Sequence, residues 1–231
     1  EPIRGMMSDD PADRWTLDDL NNWTSGTLRR SARPIRDYKT DRPLKFRDRE
    51  YRNTRMLAHA YGIHWKEAAE QLRSKAFDTW LHRGLSDADL VELLESLIAA
   101  GGGADGDLGD AKLVTRVCSA LDPEGPLKYK GLTVMPDGMG YALSAAVEGG
   151  EKDTINLVTE LVHKGIASDW FEQKIMLGRT DLTLESKTFK KLQQFVRHSG
   201  PGYGVERVLY ELNPFLPCRS KLVASAYVYS L

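Results

Sequence analysis

The sequence predicts a mainly α-helical fold with two small β-hairpins, and three observations carry that expectation. Apolar residues recur at helical spacing through most of the chain, as in Trp65, Ala68, Ala69, Leu72, Ala76 and Trp80, which puts them on one stripe of a helix. Two-residue alternation is confined to two short stretches, Leu44–Tyr51 and Pro126–Val134, as a half-buried strand requires. The order of these patterns also occurs twice along the chain. Composition sets the outer limits. With 41% hydrophobic and 28% charged residues over 231 positions, the chain is ordinary globular material and long enough to bury a sizeable core. Its formal net charge of −1 excludes a uniformly basic nucleic-acid binder, though not a local basic patch. No apolar run reaches the roughly 18 residues of a membrane span, and no signal-peptide pattern opens the chain. Cys118 and Cys218, far apart in sequence, suit packed, reduced thiols and a cytoplasmic location.

Taken in order, Ile3 with Met6 and Met7 reads as the end of one helix. Thr16 is placed to cap a second, carrying Leu17, Leu20 and Trp23 on one side with Asp18 and Asp19 at its positive end. Residues 27–42 read as an extended basic linker, and residues 27–55 together hold eleven Lys or Arg against four acids. A first hairpin turns at Arg47-Asp48. Leu57–Tyr61 makes a short helix, residues 65–80 a long one, and Ser86–Asp89 caps a third with Leu90, Val91, Leu94, Leu97 and Ile98 inward. Residues 100–109, rich in glycine, read as a flexible linker. Asp110 then opens a connecting helix over 110–125 with Leu113, Val114, Val117 and Leu121.

The second half restarts the first. Pro126-Leu-Lys-Tyr129 echoes Pro43-Leu-Lys-Phe46, Leu143-Ser-Ala-Ala146 echoes Leu57-Ala-His-Ala60, and Trp170 follows a long helix as Trp80 does. A hairpin-plus-helices unit duplicated over 43–99 and 126–199 is one account; two unrelated helical regions sharing common residues is the other. Residues 200–231 supply a last helix, stopped at Asn213-Pro214, and an apolar tail.

Catalytic patterns are missing. The aspartates of 105–110 fail as a calcium loop, because Gly109 and Arg116 stand where acids are needed. Gly200–Gly204 lacks the lysine of a P-loop. His59, His64, His82, His163 and His198 show no metal spacing, and neither cysteine has a neighbouring histidine. No enzyme, cofactor or metal is expected.

The segment Asp10-Pro11-x-x-Arg14-Trp15-Thr16, after an apolar helix and before a short one, resembles the closing segment of a protein kinase catalytic domain. The resemblance covers residues 1–25. It implies that Arg14 is the remnant of a structural ion pair whose glutamate lies outside this chain, so that Arg14 is exposed or held by Asp10 or Asp18. It also implies that Trp15 fills the core of the lower lobe. Residues 44–81, with Pro43, Phe46, Tyr51, Trp65, Ala68 and Trp80-Leu81, are similar to a small module of bacterial kinase-like and stress-signalling proteins. The chain has no Gly-rich loop, Val-Ala-x-Lys, His-Arg-Asp or Asp-Phe-Gly, and it begins without Met. The resemblance therefore implies a piece of a longer protein: the non-catalytic regulatory region of a bacterial serine/threonine kinase or pseudokinase, binding a protein partner or the parent's own kinase domain. Aromatic and arginine residues make the usual anchors, which singles out Arg47, Tyr51 and Arg55, and in the tail Phe215, Tyr227 and Tyr229. The alternative is a helical nucleic-acid-associated protein using the basic segment 29–55. Thin aromatic interleaving disfavours it.

Overall fold

The computed structural model describes residues 2–7, 14–27, 38–101, 106–135, 138–177, 179, 182–198, 200 and 202–214. Asp10, Pro11, Phe215, Cys218, Tyr227 and Tyr229 lie outside these. The chain forms two compact units, residues 1–38 and 39–231, and its architecture is mainly helical with two antiparallel two-stranded sheets.

In the first unit, α1 (Pro2–Met6) and α2 (Leu17–Thr24) flank the buried Trp15. The Trp15 amide donates to the Gly5 carbonyl at 2.9 Å. A Cβ at Gly5 would meet the indole at 2.3 Å, so the ring needs a residue without a side chain beneath it. Thr16 closes a capping box with Asp19: the Asp19 amide donates to Thr16 Oγ1 and the Thr16 amide to Asp19 Oδ2. Arg14 is exposed. The apolar side of α2 is not a core face, since Leu17 is 79% and Trp23 44% exposed.

The second unit begins with the hairpin β1 (Lys39–Phe46) and β2 (Arg49–Asn53), in register Leu44↔Tyr51 and Phe46↔Arg49. Lys39–Arg42, expected in the linker, therefore belong to a strand. The pairing is irregular between Lys39 and Leu44, where Pro43 has no amide proton to give. Then follow α3 (Thr54–Ile63), α4 (Trp65–Leu72), α5 (Lys75–Gly84), α6 (Ala88–Ala100) and α7 (Gly106–Leu121). The expected long helix over 65–80 is two helices. Ser74 interrupts it by accepting the Phe77 amide on its hydroxyl at 3.2 Å, which caps α5 and ends α4. The expected glycine linker is also shorter than 100–109, because α6 runs through Ala100 and α7 starts at Gly106, four residues before Asp110.

A second hairpin, β3 (Leu127–Tyr129) with β4 (Leu132–Val134), precedes α8 (Met139–Gly149), α9 (Lys152–His163), α10 (Ile166–Met176), α11 (Thr183–Arg197) and α12 (Val205–Leu212). Gly165, at φ 71°, separates α9 from α10, which carries Trp170. Among the described residues each half thus runs hairpin then five helices. In both, the hairpin turns on two residues, with a basic residue first and at positive φ: Arg47 at 53° and Lys130 at 47°.

Two apolar cores result. Leu57, Tyr61, Phe77, Trp80 and Leu94 build the first around Phe46, whose ring meets Tyr61 edge-on at 4.8 Å. Tyr129, Leu161, Trp170, Phe171 and Phe189 build the second. The helix α7 belongs to both halves. Its Leu113, Val114, Val117, Cys118 and Leu121 wall the first core while Ala111 faces the second.

Candidate functional site

A cleft of about 610 Å³ opens between the first hairpin and α3. The hairpin contributes Phe46, Arg47, Asp48, Arg49 and Tyr51, and α3 contributes Arg55, Met56, His59, Ala60 and Ile63, with His64 after it. Residues 55, 56, 59 and 63 share a wall because α3 repeats every 3.6 residues. Arg49 and Tyr51 share another because strand side chains alternate. Asp122, Pro126 and Lys128 close the end. Arg47, Tyr51 and Arg55, singled out in the sequence, are therefore brought to one cleft.

Its inner end is a charge cluster. Asp122 is buried, and its Oδ1 accepts from Arg55 Nε at 3.1 Å. Its Oδ2 lies 3.7 Å from Nζ of Lys128, itself 3% exposed. Arg55 also reaches Glu124 at 3.3 Å. A buried carboxylate and a buried ammonium persist only when each neutralises the other, so this pairing fixes where the cleft ends. Gly62 makes room for it: a Cβ there would stand 2.7 Å from Lys128 Cδ and 2.9 Å from its Cβ. The lysine stem crosses α3 in the space that glycine leaves.

Behind the cluster, Lys174 on α10 is buried and donates to the carbonyls of Asp122, Pro123 and Gly125. That ties the loop after α7 to the second half. Its Nζ also lies 4.8 Å from the Trp170 ring centre. Burial pulls the Lys174 ammonium down to about 7. Thr54 adds a further tie, its hydroxyl donating to the Leu121 carbonyl at 2.9 Å.

The outer rim is looser. Arg47 contacts His64 Nδ1 and donates to Glu67 at 3.1 Å, an exposed pair of small energetic weight. Arg49 is exposed and pairs with no described residue. Met56 and Ile63 are 63% and 47% exposed, so the α3 wall carries apolar surface between its cations. Cys118 is not a nucleophile candidate: it is buried, donates to the Ala58 carbonyl at 3.3 Å, and burial pushes its thiol up to about 12. Among the described residues no cluster of three metal-ligating side chains exists, and no helix is long and apolar enough to cross a membrane.

Sequence reasoning missed Asp122, Lys128, Gly62 and Lys174. Only Lys128 left a trace, a charge between Leu127 and Tyr129 in an otherwise apolar strand. Comparison with protein-family models, curated proteins and solved structures finds no match to this chain.

Proposed function

We propose that this chain is a non-catalytic regulatory and protein-interaction region of a bacterial serine/threonine kinase or pseudokinase, acting in the cytoplasm on the parent's own kinase domain or on a separate protein. Asp10-Pro11-x-x-Arg14-Trp15 supports the parentage. The observation that supports the interaction role is the cleft, where Arg47, Tyr51 and Arg55 meet beside the exposed Met56 and Ile63. Arginine and aromatic residues bordering apolar surface are the composition of an anchor site. The nucleic-acid alternative draws on the same cations, but Arg47 is engaged with Glu67, and the exposed apolar Met56 and Ile63 beside them suit a protein partner rather than a phosphate backbone.

Two measurements test this reading. The reading frame upstream of Glu1 should carry a kinase-domain pattern, and a frame without one sinks the parentage. The purified kinase domain, titrated with this chain in trans, should bind it and change in activity. Tighter binding of a 20-base-pair DNA duplex, weakening steeply between 50 and 200 mM salt as counterion release requires, would favour the alternative instead.

A further inference from the structure

The cleft has a chemistry more specific than protein binding. Its lining carries four permanent cations, Arg47, Arg49, Arg55 and Lys128, and two histidines against the carboxylates Asp48 and Asp122. Asp122 is already shared between Arg55 and Lys128. It holds both cations in place at the inner end, so it orients them without presenting a free charge of its own. Lys128 has no hydrogen-bond acceptor among the described residues: Asp122 at 3.7 Å is beyond hydrogen-bond length. A nearly buried ammonium with protons to give, at the inner end of an open cleft, asks for an anionic oxygen. Arg49 and Arg55 stand on the two opposite walls, one exposed and one 43% exposed, so an anion entering the cleft meets cations from three directions. Glu67 and Glu124 occupy outer nitrogens of Arg47 and Arg55 and set the rim against further negative charge.

The shape narrows the class. From Arg55 to Ile63 the α3 wall runs about 12 Å at 1.5 Å per residue, the length of about four residues of extended chain. The exposed Met56 and Ile63 offer that chain apolar contact. A base-stacking platform is thin, because Phe46 is buried and only Tyr51, His59 and His64 remain in the lining. We infer that the cleft binds a phosphorylated segment of a protein, with the phosphoryl group between Arg49, Arg55 and Lys128 and the flanking residues along Met56 and Ile63. This deepens the regulatory reading and rests on it for the source of the phosphate. Arg49 gives the planar, charge-assisted contacts that phosphate favours, and Arg55, held by Asp122 and Glu124, adds its positive field.

The test uses the full chain and five probes in calorimetry at 0.1 M salt: acetyl-Ala-Leu-phosphoserine-Leu-Ala-amide, its unphosphorylated form, the same peptide with Glu for phosphoserine, inorganic phosphate, and the DNA duplex. The phosphopeptide should bind at least tenfold tighter than each of the others. R49Q, at an exposed position that supports nothing in the fold, should cost the phosphopeptide about tenfold and leave the unphosphorylated form unchanged. K128M should abolish the preference, with circular dichroism reporting whether it stays folded, and R49Q remains decisive if it does not. Equal binding of phosphate and phosphopeptide, equal binding of the Glu peptide, preference for DNA, or indifference to R49Q would each overturn the proposal. None of these results touches the reading frame upstream of Glu1, so a failed site and a failed parentage remain distinguishable.

Discussion

The two hairpins are built alike and used differently. Both are antiparallel, both turn on two residues, and both place a basic residue first in the turn at positive φ, Arg47 and Lys130. Yet β1–β2 shows most of its side chains to solvent while Leu127, Lys128 and Tyr129 of β3 are all buried. The turn residues diverge in the same way. Arg47 meets Glu67 at the surface. Lys130 pairs with Glu160 at 2.9 Å, both partly buried, and its ammonium lies 6.0 Å from the Trp65 ring. The turn of the second hairpin is docked on the first half, with the Gly131 amide donating to the Gly62 carbonyl at 3.1 Å. Among the described residues the turn of the first hairpin has no such cover from the other half, and the cleft is the space left beside it. A local motif fixes a hairpin's shape; what lies against it decides whether that shape becomes core or site.

That contrast can be broken most severely at Asp122, where the buried end of the cleft is neutralised. Asp122→Ala strands Lys128 without its counter-charge and should destabilise the protein by about 3–5 kcal/mol, read as a drop in the urea midpoint. A loss under 1 kcal/mol would mean that the inner end is held by packing alone, and the contrast in charge between the hairpins would lose its cause. Gly62→Ala is expected to cost about 1–3 kcal/mol through overpacking against the Lys128 stem. Thermal melts of this variant beside Gly138→Ala, whose added Cβ would approach only the Met135 carbonyl oxygen at 3.4 Å among close neighbours, separate the tight crossing from a general cost of losing glycine. Should the two fall equally, the lysine is not confined by α3.

The last effect is a pH slope. Lys174 keeps its proton in the unfolded chain up to about 10.5 and releases it in the folded chain at about 7. Below 7 both states are protonated and the group adds no slope. Between 7 and 10.5 the unfolded state binds the extra proton, so stability contributed by this group rises with pH, by at most about 1.4 kcal/mol per unit. Comparing wild type with Lys174→Met at several pH values isolates that gain from other titrating groups. Parallel curves would show that the three carbonyls hold the ammonium charged throughout.

Much of this molecule was legible as sequence, and the limits have physical causes. Helical spacing around Leu57, Trp80, Leu94, Val117 and Leu161 correctly placed these residues inward, because burial and a 3.6-residue period act together. Helix ends were harder. Ser74 breaks a helix whose apolar stripe runs on across the break, and periodicity is blind to a cap that intervenes without changing the stripe. Gly106 and Gly109 suggested a linker by composition, but α7 takes them in because its later residues complete an apolar core. Leu17 and Trp23 had the right spacing for a buried face and are exposed, since a stripe states what a helix offers and not what covers it. At the cleft, Arg47, Tyr51 and Arg55 stood out by residue type. Asp122 and Lys128 did not, as their roles come from the meeting of α3 with a strand more than sixty positions later.

The placement of α7 has a consequence for how the chain comes into being. Leu113, Val114, Val117, Cys118, Ala120 and Leu121 are the closing wall of a core whose other residues all lie before Ala100. During synthesis from the N-terminus, the first half therefore emerges with an open side and must wait for a helix that follows it before it can shut. The same helix carries contacts to β3 and α10, through Thr115 to the Lys128 carbonyl and Arg116 to Asp169. Closure of the early half and docking of the late half thus rest on the same helix. A chain cut ahead of Gly106 would yield two pieces, neither whole, each holding what the other lacks.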